Sequence, residues 1–85
     1  MHANRPYLKA PITAAQLRAA RALLDWSVRD LASRCGVSQS AISRAERANG
    51  EPQMHARNLK AISAALEANG IEFLATNGVR LRSLE

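Results

Sequence analysis

The sequence predicts a mainly α-helical fold class in which four helices are followed by a short C-terminal β-hairpin. Three observations support this prediction: helix-capping residues recur before apolar stripes, glycines follow the stripes, and the tail changes to an alternating pattern. The 85 residues suffice for one domain with one modest core, which association with another chain commonly supplements.

The first helix is predicted over residues 14–24. Thr13 is a favourable N-cap, and Gln16, three residues later, completes a capping box. The apolar residues that follow have the spacing of one helix face, and they are Leu17, Ala20 and Leu24.

Three further helices are predicted from similar signals. Ser27 and Asp30 form a second capping box, and Gly36 ends that helix because glycine tolerates the left-handed conformation. Ser38 is the N-cap of the third helix, and a fourth apolar stripe follows Pro52. The predicted bounds of these helices are 28–35, 39–48 and 55–68.

The alternation of apolar and polar residues after residue 70 predicts the β-hairpin. A two-residue turn would place apolar and basic side chains on the same face. A three-residue turn at residues 76–78 is more favourable, because it places Gly78 in the left-handed position and Glu72 opposite Arg82. The apolar face of the hairpin then consists of Ile71, Phe73, Val79 and Leu81.

The formal net charge of +5 favours a polyanionic partner, and most of the basic residues are arginine, which binds phosphate and guanine in a bidentate manner. No arrangement of side chains suggests a catalytic site, so we do not expect an enzyme. We expect no cofactor, and no metal because His2 and His55 lack further ligands. With Cys35 as the single cysteine and no long apolar run, we expect a cytoplasmic, nucleoid-associated protein without a membrane segment.

The segment 27–46 has the sequence form of a helix-turn-helix. Two helices of about two turns each are joined by a short turn that contains Gly36. Ala32 is small enough for the two helices to cross closely. The apolar residues that would point into the core are Leu31, Val37 and Ile42.

This segment resembles the Xre-type (phage Cro/repressor-like) helix-turn-helix regulators over roughly residues 12–66. The matching elements are Leu31-Ala32, Gly36-Val37-Ser38, Ile42-Ser43 and Glu46. The resemblance implies a lambda-repressor-like bundle of about five helices whose third helix enters the major groove of double-stranded DNA. This chain departs from the family in having a hairpin where the fifth helix is expected.

The third predicted helix carries small polar residues and an arginine on its exposed side. Glutamine can pair with adenine, and arginine with guanine, while serine lets the helix approach the base edges closely. The resemblance implies base contacts from Gln39, Ser40 and Arg44, with Ser43 at the margin.

Phosphate contacts are expected from helix N-termini and basic side chains near the third helix. The family usually has a glutamine where this chain has Val28, so Arg29 or capped backbone N–H groups would replace it. The other candidates are Arg47, Asn49 and Arg57. Arg5 and Lys9, in a flexible arm over residues 1–11, could reach a minor groove.

Arg21 and Glu46 lie where the family often links its first and third helices. A partly buried bidentate pair at these positions would set the tilt of the third helix. We expect the two residues to have a structural role and not to contact DNA.

The chain is thus expected to contain an arm (1–11), a DNA-binding domain (12–70) and a hairpin (71–85). Because specific DNA binding usually needs two half-sites, we expect a homodimer, and we expect the apolar face of the hairpin to contribute to its interface. The alternative is that this face packs only against the helices of its own chain. A repressor that acts by occlusion at a palindromic operator is the first interpretation. An antitoxin that also binds a toxin protein is the alternative, and a protein-interaction module that has lost DNA binding is the third.

Overall fold

Four helices and a two-stranded antiparallel sheet form the part of the chain that the computed structural model describes, residues 12–75 and 77–82. This architecture confirms the predicted fold class, and each helix boundary lies within one residue of its predicted position. The predicted arm over residues 1–11 and the last three residues lie outside the described residues. The elements are α1 (Ala14–Leu23), α2 (Val28–Cys35), α3 (Gln39–Arg47), α4 (Ala56–Ala68), β1 (Ile71–Phe73) and β2 (Val79–Leu81).

Side-chain caps begin the first three helices. Thr13 and Ser27 each accept a hydrogen bond from the backbone N–H three residues later, and both capping boxes are complete. Ser38 accepts from the backbone N–H of Ala41 at the start of α3. Gly36 ends α2 with a φ of 75°, a left-handed conformation that glycine adopts without the steric cost of a Cβ atom.

One hydrophobic core joins all of these elements. α2 packs against α3 and α4, while α1 packs against α3 and β2, and β1 lies against α4. Burial of large apolar side chains is the main force that holds such short helices together, since their intrinsic propensity is weak. The largest side chains that are fully buried are Leu17, Leu31, Ile42, Ile62, Leu66, Ile71 and Phe73.

The register of the hairpin differs from the prediction. Glu72 lies opposite Arg80, not Arg82, and the positive φ of 69° in the turn belongs to Asn77, not to Gly78. The Leu74 N–H donates to the Gly78 carbonyl at 2.8 Å, so Gly78 is part of the ladder and the turn begins earlier than predicted. The shift is by an even number of positions, so the same four apolar residues still share one face.

Gln16 holds the hairpin in this register. Its buried side chain donates from Nε2 to the carbonyl oxygens of Leu74 at 2.9 Å and of Gly78 at 2.8 Å, while its Oε1 accepts from the Thr13 N–H. Thr13 in turn donates its hydroxyl to Asn77 Oδ1. One glutamine thus caps α1 and fixes the turn of the hairpin.

The apolar face of the hairpin packs mainly within its own chain. Ile71 and Phe73 lie in the core, Val79 is half-buried, and Leu81 is exposed. Ile71 and Phe73 are therefore not accessible to a second chain in this fold. Of the four residues predicted to form a dimer interface, only Val79 and Leu81 retain exposed surface that a second chain could contact.

Among the helices that the structure describes, none is both long and apolar enough to cross a membrane.

Candidate nucleic-acid interface

The exposed side of α3 presents a continuous polar stripe. Ser40, Ser43, Arg44 and Arg47 are spaced three and four residues apart, so their side chains lie along one face of the helix. Gln39 lies at the edge of this stripe in the first turn. Ser43 is half-buried, and the other four side chains are exposed.

The opposite side of α3 anchors the helix to the bundle. Ile42 is fully buried, and Ala45 and Glu46 are also buried. Because α3 packs against both α1 and α2 along this side, its polar stripe is directed to solvent. The stripe has the composition and placement needed to approach base edges.

Arg21 on α1 holds Glu46 of α3 with two hydrogen bonds. Arg21 Nε donates to Glu46 Oε2 at 2.9 Å, and Nη2 donates to Oε1 at 2.8 Å. The remaining nitrogen, Nη1, donates to the carbonyl of Trp26 at 2.9 Å. The hydrogen bond from Glu46 raises the pKa of Arg21 although burial opposes it, so this arginine stays charged.

Arg18 adds a link to α3 that the sequence prediction missed. It donates from Nη1 to the backbone carbonyl of Glu46, in the last turn of α3. Arg18 and Arg21 are three residues apart on α1, so one face of that helix contacts α3 twice. That spacing of two arginines is the only signal in the sequence that could have indicated the contact.

The predicted phosphate contacts lie on several elements and are all exposed. Arg29 is in the first turn of α2, Arg47 is in the last turn of α3, Asn49 follows α3, and Arg57 is in the first turn of α4. Within residues 12–75 and 77–82, the three arginines form no ion pair. Their positive charges are therefore available to a polyanion.

The N-terminus of α4 differs from those of the other helices. His55 is in the N-cap position and makes no side-chain hydrogen bond to the first turn, which also lacks an acidic residue. The first backbone N–H groups of a helix have no partner within the helix and favour anions. With Arg57 beside them, these groups offer a second kind of donor to a phosphate.

The start of α2 contains Val28, which is partly buried and packs against the core. Asp30 completes the cap of this helix, and the hydrogen bond from the Ser27 N–H lowers its pKa below the ordinary value for aspartate. The charged group that remains free in this turn is Arg29.

In the described part of the chain, no three side chains of His, Cys, Asp or Glu lie close enough together to hold a metal ion.

The helix-turn-helix family matches residues 17–73, more than half of the chain and the whole of the α2–turn–α3 segment. Neither the curated proteins nor the solved structures include one with a significant match to this chain.

Proposed function

We propose that this chain, which belongs to the Xre-type helix-turn-helix family of DNA-binding transcriptional regulators, represses transcription by occupying a palindromic operator as a homodimer. The observation that supports this proposal is the exposed polar stripe of α3, held outward by its buried side and by the pair between Arg21 and Glu46. A rigid helix with short polar side chains fits the major groove, which is about 12 Å wide.

The roles proposed for the α3 residues follow from their chemistry. Arg44 would donate two hydrogen bonds to guanine O6 and N7, and Gln39 would pair with the N6 and N7 of an adenine. Ser40 and Ser43 are short, so the helix axis can approach the floor of the groove. Sequence preference would then depend mainly on Gln39 and Arg44.

Contacts to the phosphates would position this helix without reading sequence. Arg29, Arg47 and Arg57 would each neutralise a phosphate, and Asn49 would donate a neutral hydrogen bond. The uncapped N-terminus of α4 would bind a further phosphate oxygen through its backbone N–H groups. In sequence, Arg29 precedes α3, Arg47 is its last residue, and Asn49 and Arg57 follow it, so the proposed phosphate contacts lie before and after the inserted helix.

Two copies on one operator would give the complex its specificity. A single α3 covers only a few base pairs, and dimers of this motif contact half-sites about 34 Å apart. A palindromic operator would match the two-fold symmetry of the dimer. Occlusion of RNA polymerase then requires only that the operator overlaps the promoter.

Selection of bound duplexes from a random-sequence DNA library tests this proposal directly. The purified chain is expected to enrich an inverted repeat, and adding it to an in vitro transcription reaction with that repeat at the promoter should reduce transcript yield. The proposal fails if no sequence is enriched, or if the chain does not bind duplex DNA at low ionic strength.

A further inference from the structure

A cleft of about 410 Å³ opens beside the N-terminal half of α1. It lies between the first two turns of that helix, the connection that follows α3 and the turn of the hairpin. Sites for small molecules usually have volumes of about 300–1,000 Å³, so this cleft is large enough for a ligand of modest size. The lining residues that matter below are Thr13, Ala15, Arg18, Asn49, Gly50 and Asn77.

Hydrogen bonds hold the walls of the cleft in place. The Ala14 N–H donates to the Gly50 carbonyl at 2.8 Å, which fixes the α3–α4 connection against the start of α1. The Thr13 hydroxyl donates to Asn77 Oδ1, which fixes the hairpin turn at the same end of that helix. The cleft is therefore a preformed feature of the fold, as small-molecule sites usually are.

The side chains around the cleft supply hydrogen-bond donors. Arg18 uses one N–H for the Glu46 carbonyl, and a guanidinium has five, so others remain for a ligand. Because Oδ1 of Asn77 accepts from Thr13, the Nδ2 group of the same side chain is a donor on the hairpin side. Asn49 supplies a second amide from the α3–α4 connection. A ligand that matches these groups must be rich in acceptors.

The cleft is electropositive. Among the described residues, no acidic side chain lines it: Glu51 follows Gly50 in the chain but is not part of the walls, and the Glu46 carboxylate is held by Arg21. In the part of the chain that the structure describes, Arg18 forms no ion pair, so its charge is not neutralised. The first turn of α1 also lacks an acidic residue, and the partial positive charge of a helix N-terminus adds to the field.

We propose that this cleft binds a small anionic molecule that carries a phosphate or carboxylate group. Arg18 pairs with the anionic oxygens, and the amides of Asn77 and Asn49 donate to the remaining acceptors. The rest of the cleft accommodates the body of the ligand. This site goes beyond the proposed function, which assigns no small molecule to the chain.

A free ligand suits the cleft better than a phosphate of the DNA backbone does. The cleft is much larger than one phosphate group, and it is bounded by three separate parts of the chain. It lies beside the C-terminal end of α3, about 13 Å along the helix from Gln39 at the end proposed to read bases. Because Asn49 is also a candidate for a DNA contact, the variants that test the cleft leave Asn49 unchanged.

Titration of the isotope-labelled full chain, followed by two-dimensional NMR of its backbone amides, tests this inference. Inorganic phosphate and citrate are the two probes, which separate a phosphate from a carboxylate preference, and chloride at matched ionic strength is the reference. We expect saturable shifts at lining residues such as Ala15 and Gly50 with at least one probe. The dissociation constant should be about 1 mM, since so small a ligand makes few contacts.

Ala15→Glu is the main test variant. It places a negative charge in the wall of the cleft without removing a side-chain hydrogen bond, and an acidic residue suits the first turn of α1. Ala64→Glu, at an exposed position of α4, makes the same change of charge elsewhere and is the matched control. Arg18→Gln, which removes the positive charge from the cleft, is the second variant, and circular dichroism checks that each chain is folded.

We expect Ala15→Glu and Arg18→Gln each to raise the dissociation constant of the bound probe at least about tenfold. The control should change it less than about twofold, because salt screens a distant charge. The inference is overturned if neither probe gives saturable shifts in the cleft, or if Ala15→Glu binds the probe as tightly as the wild type does.

Binding of Arg18→Gln to duplex DNA separates a free ligand from a DNA phosphate. A free ligand predicts that this variant loses the probe but keeps the wild-type dependence of DNA binding on salt. A reduction of that slope by about one would assign the cleft to a DNA phosphate and would also overturn the inference. Failure of the wild type to bind duplex DNA would instead contradict the proposed function, since the NMR titration contains no DNA.

Discussion

Arg44 lies one turn after Ser40 on the exposed stripe of α3, where a base-reading side chain is expected. We predict that Arg44→Ala reduces the free-energy difference between binding a selected operator and a scrambled duplex by about 1–3 kcal/mol. Fluorescence anisotropy with both duplexes measures this difference. The control is Arg34→Ala, which removes the same charge from α2, where Arg34 stacks on the Trp26 ring at 4.4 Å. An unchanged difference in Arg44→Ala would refute the assignment.

Glu46 has the largest predicted effect on stability of the residues near α3. Its side chain is only 7% exposed, and its removal leaves the partly buried Arg21 without a counter-charge. We predict that Glu46→Ala lowers the free energy of unfolding by about 2–4 kcal/mol, as measured by urea denaturation.

Replacement of both partners by apolar residues provides the comparison for this prediction. Arg21→Met combined with Glu46→Leu leaves no unpaired charge, so its loss of stability should be smaller than that of Glu46→Ala alone. A larger loss of stability in the double variant than in Glu46→Ala would show that the ion pair itself stabilises the fold. The effect of Glu46→Ala would then not be due mainly to the unpaired charge of Arg21.

The hairpin depends on a polar contact as well as on its apolar face. Gln16 donates to two carbonyl oxygens of the hairpin and is 3% exposed. We predict that Gln16→Ala lowers the free energy of unfolding by about 1–3 kcal/mol, since it removes the side-chain donor to the Leu74 carbonyl and leaves the Gly78 carbonyl with the Leu74 N–H alone. Gln53→Ala, at an exposed position in the α3–α4 connection, is the control and should change little. Equal effects of the two variants in urea denaturation would contradict the role of Gln16.

The cap of α2 makes the stability of the fold depend on pH. Asp30 has a lowered pKa in the folded chain, mainly because the Ser27 N–H donates to its carboxylate. Its contribution is complete above the ordinary aspartate pKa of about 4 and is lost as the pH falls through the lower folded value. We predict that the melting temperature of the wild type falls on acidification below about pH 4. Over the same pH range, the melting temperature of Asp30→Asn should fall by a smaller amount. Identical pH profiles would exclude this source of acid sensitivity.

At the scale of the whole molecule, the net charge of +5 should make DNA binding strongly dependent on salt. Each neutralised phosphate contributes about 0.9 to the slope of log K against log salt concentration. We predict that Arg57→Ala weakens binding to all sequences alike and reduces the magnitude of this slope by about one, the share of a single phosphate. A change in sequence preference without a change in slope would assign Arg57 a different role.

The helices, the caps of the first three and the helix-turn-helix could all be predicted from neighbouring residues in the chain. Each cap joins residues three apart, such as Ser27 with Asp30, and Gly36 ends α2 through its own backbone freedom. Such interactions depend on neighbours in the chain, so a linear pattern contains the information needed to predict them. The exposed polar stripe of α3 could be predicted for the same reason, because helical periodicity separates it from Ile42 on the buried side.

Contacts between residues far apart in the chain could not be predicted in this way. The register of the hairpin depends on Gln16, which is separated by 58 and 62 residues from the carbonyls to which it donates. The contact of Arg18 with the end of α3 and the burial of Ile71 and Phe73 depend in the same way on how the elements pack. A pattern along the chain cannot rank such pairings, because their energies depend on shape and burial that exist only once the core has formed.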